Sequence, residues 1–164
     1  MAYLVKDDYT LHIALEHLDQ VLKQAIKGST LTPPQILQRT EGVAESEVIS
    51  YLLGKYLIED ELAIDGSVDP DGRNKFIMRC MIDISLYHLF LSVNPRDVPE
   101  SRQVQYDYAV SMLDKYRNEE LNFGLPIVDL DGDGVEDVLR INLSSNRKFI
   151  SRPFSDARLL DDEL

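Results

Sequence analysis

At 164 residues the chain is long enough for one domain with a substantial core and too short for two comfortable ones. Hydrophobic residues at 44% and charged residues at 28% are ordinary for a soluble globular protein, which argues against wholesale disorder. The formal net charge of −12 repels phosphate backbones and argues against tight binding of nucleic acid.

Cysteine usage and the N-terminus bear on the cellular compartment. The single cysteine, Cys80, excludes an internal disulfide framework, and a buried inert thiol is the default expectation. The opening MAYLVKDDY has no basic region followed by an apolar run, so we expect neither a signal peptide nor a membrane anchor. Both features predict a protein that works in the cytoplasm or in a structure assembled there.

A first helix is predicted from a cap at Asp7 or Asp8 to a stop at Gly28. His12 and His17 fall on different sides of this helix without a partner histidine at ligand spacing, so we expect them at its solvent-facing side or rim. One apolar stripe runs along the helix, formed by Leu11, Ala14, Leu15, Leu18, Val21, Leu22 and Ile26.

A second helix is predicted to start at Thr32, because Pro33 and Pro34 follow at positions whose amides need no partner. Gly42 costs up to about 1 kcal/mol relative to alanine inside a helix, and it marks either a kink or a helix boundary. The predicted buried face comprises Ile36, Leu37, Val43, Ala44, Val48, Tyr51, Leu52 and Tyr56.

The stretch from Arg73 to Ser92 is apolar almost all the way round a helix, so neighbours must cover several sides of it. Charged and imidazole side chains interrupt it, which argues against a membrane span. We expect Asp83 and His88 to belong to a charged seam on this core helix, without catalytic use. Arg79 and Asp83 lie four residues apart and can form an ion pair on the helix surface. The preceding residues, Ile58 to Gly72, are predicted to form a long acidic loop.

A fourth helix is predicted to open at Pro99 and Glu100 and to stop by about Asn122. Its predicted buried face comprises Val104, Tyr108, Ala109, Met112, Leu113 and Tyr116. The pattern therefore predicts a mainly α fold, in which residues 1–122 form a bundle of three to four helices and the last three helices pack on one another.

Beyond Phe123 the pattern changes to strand-like content at residues 125–128 and 138–143, separated by the turn sequence DLDGDGVED. This favours a C-terminal β-hairpin or extended arm over residues 123–164, ending in an acidic tail. The final stretch cannot bury enough surface to fold alone, so it is either a tail or an arm that docks on something.

The turn sequence carries the alternating carboxylates of a calcium loop. Asp129, Asp131, Asp133 and Asp137 stand at positions 1, 3, 5 and 9, with Gly134 at the sharp turn and the carbonyl of Val135 at position 7. Arg140 replaces the bidentate glutamate of an EF-hand, and the flanks are strand-like. The nine residues resemble the DxDGDGxxD loops of integrin-type FG-GAP repeats, so a structural calcium ion and an acidic hairpin turn are the alternatives.

The sequence contains no recognisable catalytic constellation: GxSxG, P-loop, GxGxxG, HExxH and paired CxxC motifs are all missing. We therefore predict that the chain is not an enzyme. The C-terminal stretch places two aromatic residues beside an arginine, a composition typical of residues that anchor a protein interface. These residues are Phe149, Arg152 and Phe154. The alternative is that these side chains fold back onto the protein's own helices.

Three segments, taken in order, resemble the Mu-like phage neck proteins, a family also found as a domain in bacterial prophages. Residues 44–56 (AESEVISYLLGKY) are similar to its AExxIxSYLxxRY helix, and residues 83–89 (DISLYHL) to its DIAxYxL core helix. Residues 106–113 (YDYAVSML) are similar to its RYxxAxxxL helix, with Gln105 where arginine is commoner. The opening Met1-Ala2-Tyr3 and the late Arg152-Pro153-Phe154 are also similar to that family's ends.

This resemblance implies a helical bundle that assembles as a ring of twelve copies beneath the portal at the head-to-tail junction of a virion. It also implies a C-terminal arm that reaches the portal, with residence in the host cytoplasm during assembly. The chain departs from the family in the long loop from Ile58 to Gly72 and in the acidic loop from Asp129 to Asp137. Two functions are thus expected: a non-enzymatic head–tail connector or, alternatively, a calcium-binding interaction module.

Overall fold

The fold is given by a computed structural model that describes residues 3–27, 30–68, 71–121 and 124–127. Within these ranges the chain is mainly helical and forms six helices. A short 3₁₀ helix, Lys6–Leu11, precedes five α-helices. These are α1 (Leu15–Ala25), α2 (Pro33–Leu52), α3 (Ile58–Leu62), α4 (Lys75–Val93) and α5 (Glu100–Arg117).

Helix α4 is the centre of the bundle, as its all-round apolar sequence predicts. The Asn74 side chain caps it by accepting hydrogen bonds from the amides of Phe76 and Ile77, two donors that a helix start leaves unpaired. Helices α1, α2 and α5 all pack on it. Its buried residues are Ile77, Cys80, Met81, Ile82, Asp83, Ile84, Ser85, Leu86 and Leu89.

Among the described helices, α4 is long and apolar enough to cross a membrane, judged by length and composition alone. The mean hydropathy of its most apolar window is 1.5. Half of that window is buried inside the bundle. Core helices of soluble proteins share this composition, because a helix covered by apolar neighbours is apolar on every side.

The predicted first helix is wrong in one respect, since the chain forms two helices there. Ala14 has an extended backbone, with φ −62° and ψ 132°, and separates the 3₁₀ helix from α1. Leu11, predicted on the buried stripe, is 90% exposed. The break turns Tyr9 into the core instead, where this side chain is fully buried and its hydroxyl finds a partner on α2.

Helix α2 begins where the sequence predicts, after Thr32, whose amide donates to Oε1 of Gln35 at 2.9 Å. Gly42 does not mark a helix boundary, because α2 runs continuously past it. Val43, predicted as buried, is 44% exposed. The predicted loop from Ile58 to Gly72 also contains an element that the acidic composition conceals, the short helix α3, which is anchored by the fully buried Ile58.

The predicted fourth helix is α5, and its buried face is rotated from the predicted one. Val104 and Tyr108 were expected in the core and are 59% and 49% exposed. Ala109, Leu113 and Tyr116 are buried, as predicted. The predicted apolar face contains both the exposed and the buried residues, and periodicity alone does not decide which side of it meets the bundle.

After α5 the described chain passes beside the end of α2. The amide of Leu57 donates to the carbonyl oxygen of Pro126 at 3.0 Å, and Tyr56 and Ile127 form an isolated antiparallel β-bridge. The predicted hairpin and tail lie outside the described residues, apart from residues 124–127.

Candidate functional site

The site residues predicted from the sequence all fall outside the described residues. This applies to the proposed calcium ligands and to the proposed partner-binding arm. They are Asp129, Asp131, Asp133, Val135 and Asp137 in the first group and Phe149, Arg152 and Phe154 in the second.

Within the described chain, the most concentrated charge cluster surrounds Arg73, which is only 5% exposed. Its guanidinium donates to both oxygens of Asp8, at 2.6 and 3.0 Å, and to both oxygens of Asp71, at 2.8 and 3.0 Å. It also donates to the carbonyl oxygen of Tyr3 at 2.5 Å. We call this cluster the Arg73 latch, because it holds the N-terminal segment against the start of α4.

Within the latch, the pKa values of Asp71 and Arg73 are shifted in the direction that favours their charged forms. Hydrogen bonds from Arg73 hold the pKa of Asp71 well below its usual range, and the two carboxylates raise the pKa of Arg73. Gly66 completes the latch, since a Cβ at that position would lie 2.5 Å from both Nη1 of Arg73 and the Tyr3 carbonyl oxygen. The cluster is thus packed tightly enough to exclude a side chain there.

A second polar network lies deeper, between the 3₁₀ helix, α2 and α4. The Tyr9 hydroxyl donates to Oε1 of Glu41 at 2.9 Å and lies 3.3 Å from Oγ of Ser85, which in turn donates to Oγ1 of Thr40 at 3.1 Å. Burial raises the pKa of Tyr9 and of Glu41. This network satisfies polar atoms that would otherwise be costly to bury.

Asp83 lies 3% exposed in the middle of α4, and His12 is its close partner. Nδ1 of His12 is 2.8 Å from Oδ1 of Asp83, whereas Nε of Arg79, the predicted partner, is 3.9 Å from Oδ2. Arg102 on α5 donates to the His12 carbonyl oxygen at 2.9 Å and so fixes the backbone behind the imidazole. The His12 side chain lies at a rim of the bundle, as predicted, with 15% exposure.

The sequence does not predict the pairing of His12 with Asp83, which are separated by 71 positions. A carboxylate in the middle of an apolar helix is nevertheless a signal, because a buried charge requires a partner. Three histidines in the chain limit the choice of that partner.

Glu47 on α2, His88 on α4 and Tyr106 on α5 meet near the surface, and we call them the Glu47 triad. Nε2 of His88 is 2.5 Å from Oε1 of Glu47, and the Tyr106 hydroxyl donates to Oε2 of Glu47 at 3.3 Å. Tyr106 also stacks on Tyr87 with ring centroids 4.2 Å apart. Burial, aided by the Glu47 charge, raises the pKa of Tyr106 to about 12. The triad therefore joins three helices through one carboxylate.

These clusters consist of side chains that hydrogen-bond or form ion pairs with one another, and they stabilise the packing of the helices. No buried side-chain nitrogen or oxygen in the described ranges lacks a hydrogen-bond partner. Burial, with the Asp83 charge, raises the pKa of the Cys80 thiol to about 12, so the thiolate nucleophile is suppressed at neutral pH. In the same ranges, no three His, Cys, Asp or Glu side chains come together as a metal-binding group.

Two shallow grooves open on the described surface. One, of about 250 Å³, lies at the end of α2 and is lined by residues from Leu53 to Asp60. The other, of about 220 Å³, lies between the ends of α1, α2 and α4 and is lined by Ala25, Leu31, Ile36, Arg39, Thr40 and Ser92. The groove at the end of α2 contains none of the polar clusters described above, whereas the other groove includes Thr40 of the Tyr9 network.

No protein-family model, curated protein or solved structure matches this chain.

Proposed function

We propose that the chain is a non-enzymatic virion protein of a phage or prophage, a head–tail connector that forms a ring between the portal and the tail components. The Glu47 triad carries this proposal. Its glutamate, histidine and tyrosine come from the three separate segments whose sequences resemble the Mu-like neck proteins, and they meet at one point of the bundle. Three short resemblances scattered along the sequence thus belong to one packed unit.

The charge of the chain supports the same role. A net charge of −12 per copy, repeated around a ring, gives a strongly negative assembly past which DNA moves without adhering. The proposed arm with Phe149, Arg152 and Phe154 supplies the contact with the portal, since aromatic and arginine side chains dominate the binding energy of interfaces.

The test is the oligomeric state in the presence of a portal protein encoded by the same genome. Light scattering is expected to detect a ring-sized complex of twelve copies. A monomer in the absence of the portal is compatible with the proposal, because the portal acts as the template on which the ring assembles. The double variant Phe149→Ala, Phe154→Ala is expected to bind the portal more weakly, whereas Val104→Ala, an exposed apolar residue on α5, serves as the matched control. Persistent monomer without portal contact would contradict the proposal.

A second candidate function, a calcium-binding interaction module, is favoured by the DLDGDGVED sequence of residues 129–137. Here the metal is a structural clip held by Asp129, Asp131, Asp133 and Asp137 together with the carbonyl oxygen of Val135. Calorimetric titration with calcium is expected to release heat with the parent protein and none with an Asp131→Ala, Asp133→Ala variant. No heat from the parent protein removes this candidate.

A further inference from the structure

The groove at the end of α2 has an apolar lining that nothing in the described chain covers. Its floor contains Tyr56 and Ile58, which are 6% and 0% exposed. Leu53 and Leu57 form its walls and are 58% and 37% exposed. Gly54, with a φ of 87°, turns the chain out of the helix between these leucines and leaves the groove open. Single exposed leucines are common, but two that flank one groove indicate a binding surface.

The rim of the groove is acidic. Glu59 and Asp60 are exposed on the first turn of α3 and line the groove beside Leu57. Within the described ranges neither carboxylate takes part in an ion pair. Lys55, the nearby cation, is engaged elsewhere, 2.8 Å from a carboxylate oxygen of Glu119 and 2.7 Å from the Arg117 carbonyl oxygen. The groove therefore fits a segment that is both apolar and basic.

The last described residues of the chain lie at this groove. Ile127, the last described residue, is bridged to Tyr56, and the Pro126 carbonyl oxygen accepts the amide of Leu57. Both Tyr56 and Leu57 line the groove. Whatever follows residue 127 therefore starts within a few ångströms of it.

The sequence that follows contains a segment with the required composition. Residues 147–154, RKFISRPF, combine three basic side chains with Phe149, Ile150 and Phe154 and contain no acidic residue. By contrast, the remainder of the chain is strongly acidic, which leaves this segment as a local positive charge. The nineteen residues that separate it from Ile127 reach roughly 60 to 70 Å when extended, so distance does not restrict its return.

From this geometry we infer that residues 147–154 bind the groove between Leu53 and Asp60 of their own molecule. The apolar side chains cover Leu53 and Leu57, and the basic side chains pair with Glu59 and Asp60. Binding within one molecule is favoured over binding between copies, because a tethered segment has an effective concentration on the order of millimolar. The docked state is that of the protein without portal, and contact of the same segment with the portal, as proposed above, requires its release from the groove.

A fluorescent reporter can test this docking, because the chain contains no tryptophan. The variant Phe149→Trp, in the full-length protein, places a single tryptophan in the segment. Its emission is expected to be blue-shifted relative to the same protein in urea, and the shift is expected to be independent of protein concentration. Portal protein is absent from this experiment, so its outcome is separate from that of the assembly test.

Substitutions in the groove then identify the binding surface. Adding Leu53→Asp to the reporter is expected to shift the tryptophan emission to the red, because the segment no longer binds the groove. The double substitution Glu59→Lys, Asp60→Lys is expected to have the same effect. Val104→Asp is the matched control, since Val104 is 59% exposed against 58% for Leu53 and lies on α5, outside the groove. Far-ultraviolet circular dichroism verifies that every variant keeps its helices.

Each alternative outcome overturns the inference. Emission that is unshifted in the reporter, or that Leu53→Asp and the Lys substitutions leave unchanged, means that the segment does not occupy this groove. A blue shift that disappears on dilution, with a dimer detected by light scattering, means that a second copy provides the occupant.

Discussion

Asp83 illustrates how one residue of the core depends on partners far away in sequence. A carboxylate buried in an apolar helix is costly unless it is paired, and His12 supplies the pairing at 2.8 Å. The helix and its burial could be predicted from the apolar pattern of α4. The identity of its partner, His12, could not be predicted. Periodicity describes one element at a time, and His12 lies in a different segment from α4.

The Cys80 thiol is predicted to be inert in the folded protein. It is 2% exposed, and burial raises its pKa to about 12, so very little reactive thiolate forms near neutral pH. A thiol-specific reagent such as DTNB is expected to react slowly with the native protein and rapidly, with one thiol per chain, after unfolding in urea. A fast stoichiometric reaction of the native protein would contradict the buried position.

Glu41 is predicted to make stability depend on pH. Burial, together with the charge of Asp8, raises its pKa, so the folded state binds the Glu41 proton more tightly than the unfolded chain does. Its contribution to stability is therefore complete below the ordinary pKa of a glutamate and is lost as the pH rises through the folded-state pKa.

Glu41→Gln keeps an oxygen that accepts from Tyr9 but removes the charge. The substitution is expected to raise the Tm near neutral pH and to have little effect in acid, where Glu41 is already neutral. Glu45→Gln, an exposed position on the same helix, is the control. A lower Tm for Glu41→Gln at neutral pH would show that the charged hydrogen bond outweighs burial.

At the scale of elements, the latch between the N-terminal segment and α4 is predicted to contribute strongly to stability. Arg73→Met leaves Asp8 and Asp71 without their guanidinium. Because these carboxylate side chains are 11% and 28% exposed, and so partly solvated, the expected loss is about 1–3 kcal/mol. Urea unfolding measures the loss. Lys6→Met breaks only the exposed Lys6–Asp19 pair and is expected to change the free energy of unfolding by less than about 1 kcal/mol. Equal effects of the two substitutions would contradict the latch.

Two glycines are predicted to respond in opposite directions to alanine. Gly42 lies inside α2 with no heavy atom within 4 Å of an added Cβ, so Gly42→Ala is expected to stabilise the protein by about 0.5–1 kcal/mol. Gly66→Ala is expected to destabilise it, because the Cβ would overlap the Arg73 latch. Thermal unfolding of both variants measures the signs, and a stabilising Gly66→Ala would refute the packing around Arg73.

The helices that sequence periodicity predicts well are those with a long apolar pattern, namely α2 and α4. The break at Ala14 and the short helix α3 are not predictable in the same way, because tertiary contacts determine them: the Tyr9 hydroxyl reaches Glu41 on α2, and Ile58 is fully buried. The orientation of α5 fails for a related reason. Its predicted apolar face contains both Val104 and Ala109, and only the packing on α4 decides that Ala109 is buried and Val104 is exposed.

Considered as a whole, the described chain is a helical bundle whose helices are connected by hydrogen bonds and ion pairs. The residues predicted to contact partners follow this bundle in the sequence. The polar clusters of Arg73, Tyr9 and Glu47 fix the N-terminal segment and the helices to one another. Ile127, the last described residue, lies beside a groove with exposed leucines. This division suits a connector, in which a stable body holds its place in a ring while a C-terminal segment makes the contacts.

The most direct measurement of the connector function is a cryo-EM reconstruction of the neck of the virion encoded by the same genome. We expect a ring of copies beneath the portal, with α1, α2, α4 and α5 fitting the density of each subunit and the residues after Ile127 directed toward the portal. A neck whose density is completely explained by other proteins, with no subunit matching this bundle, would contradict it.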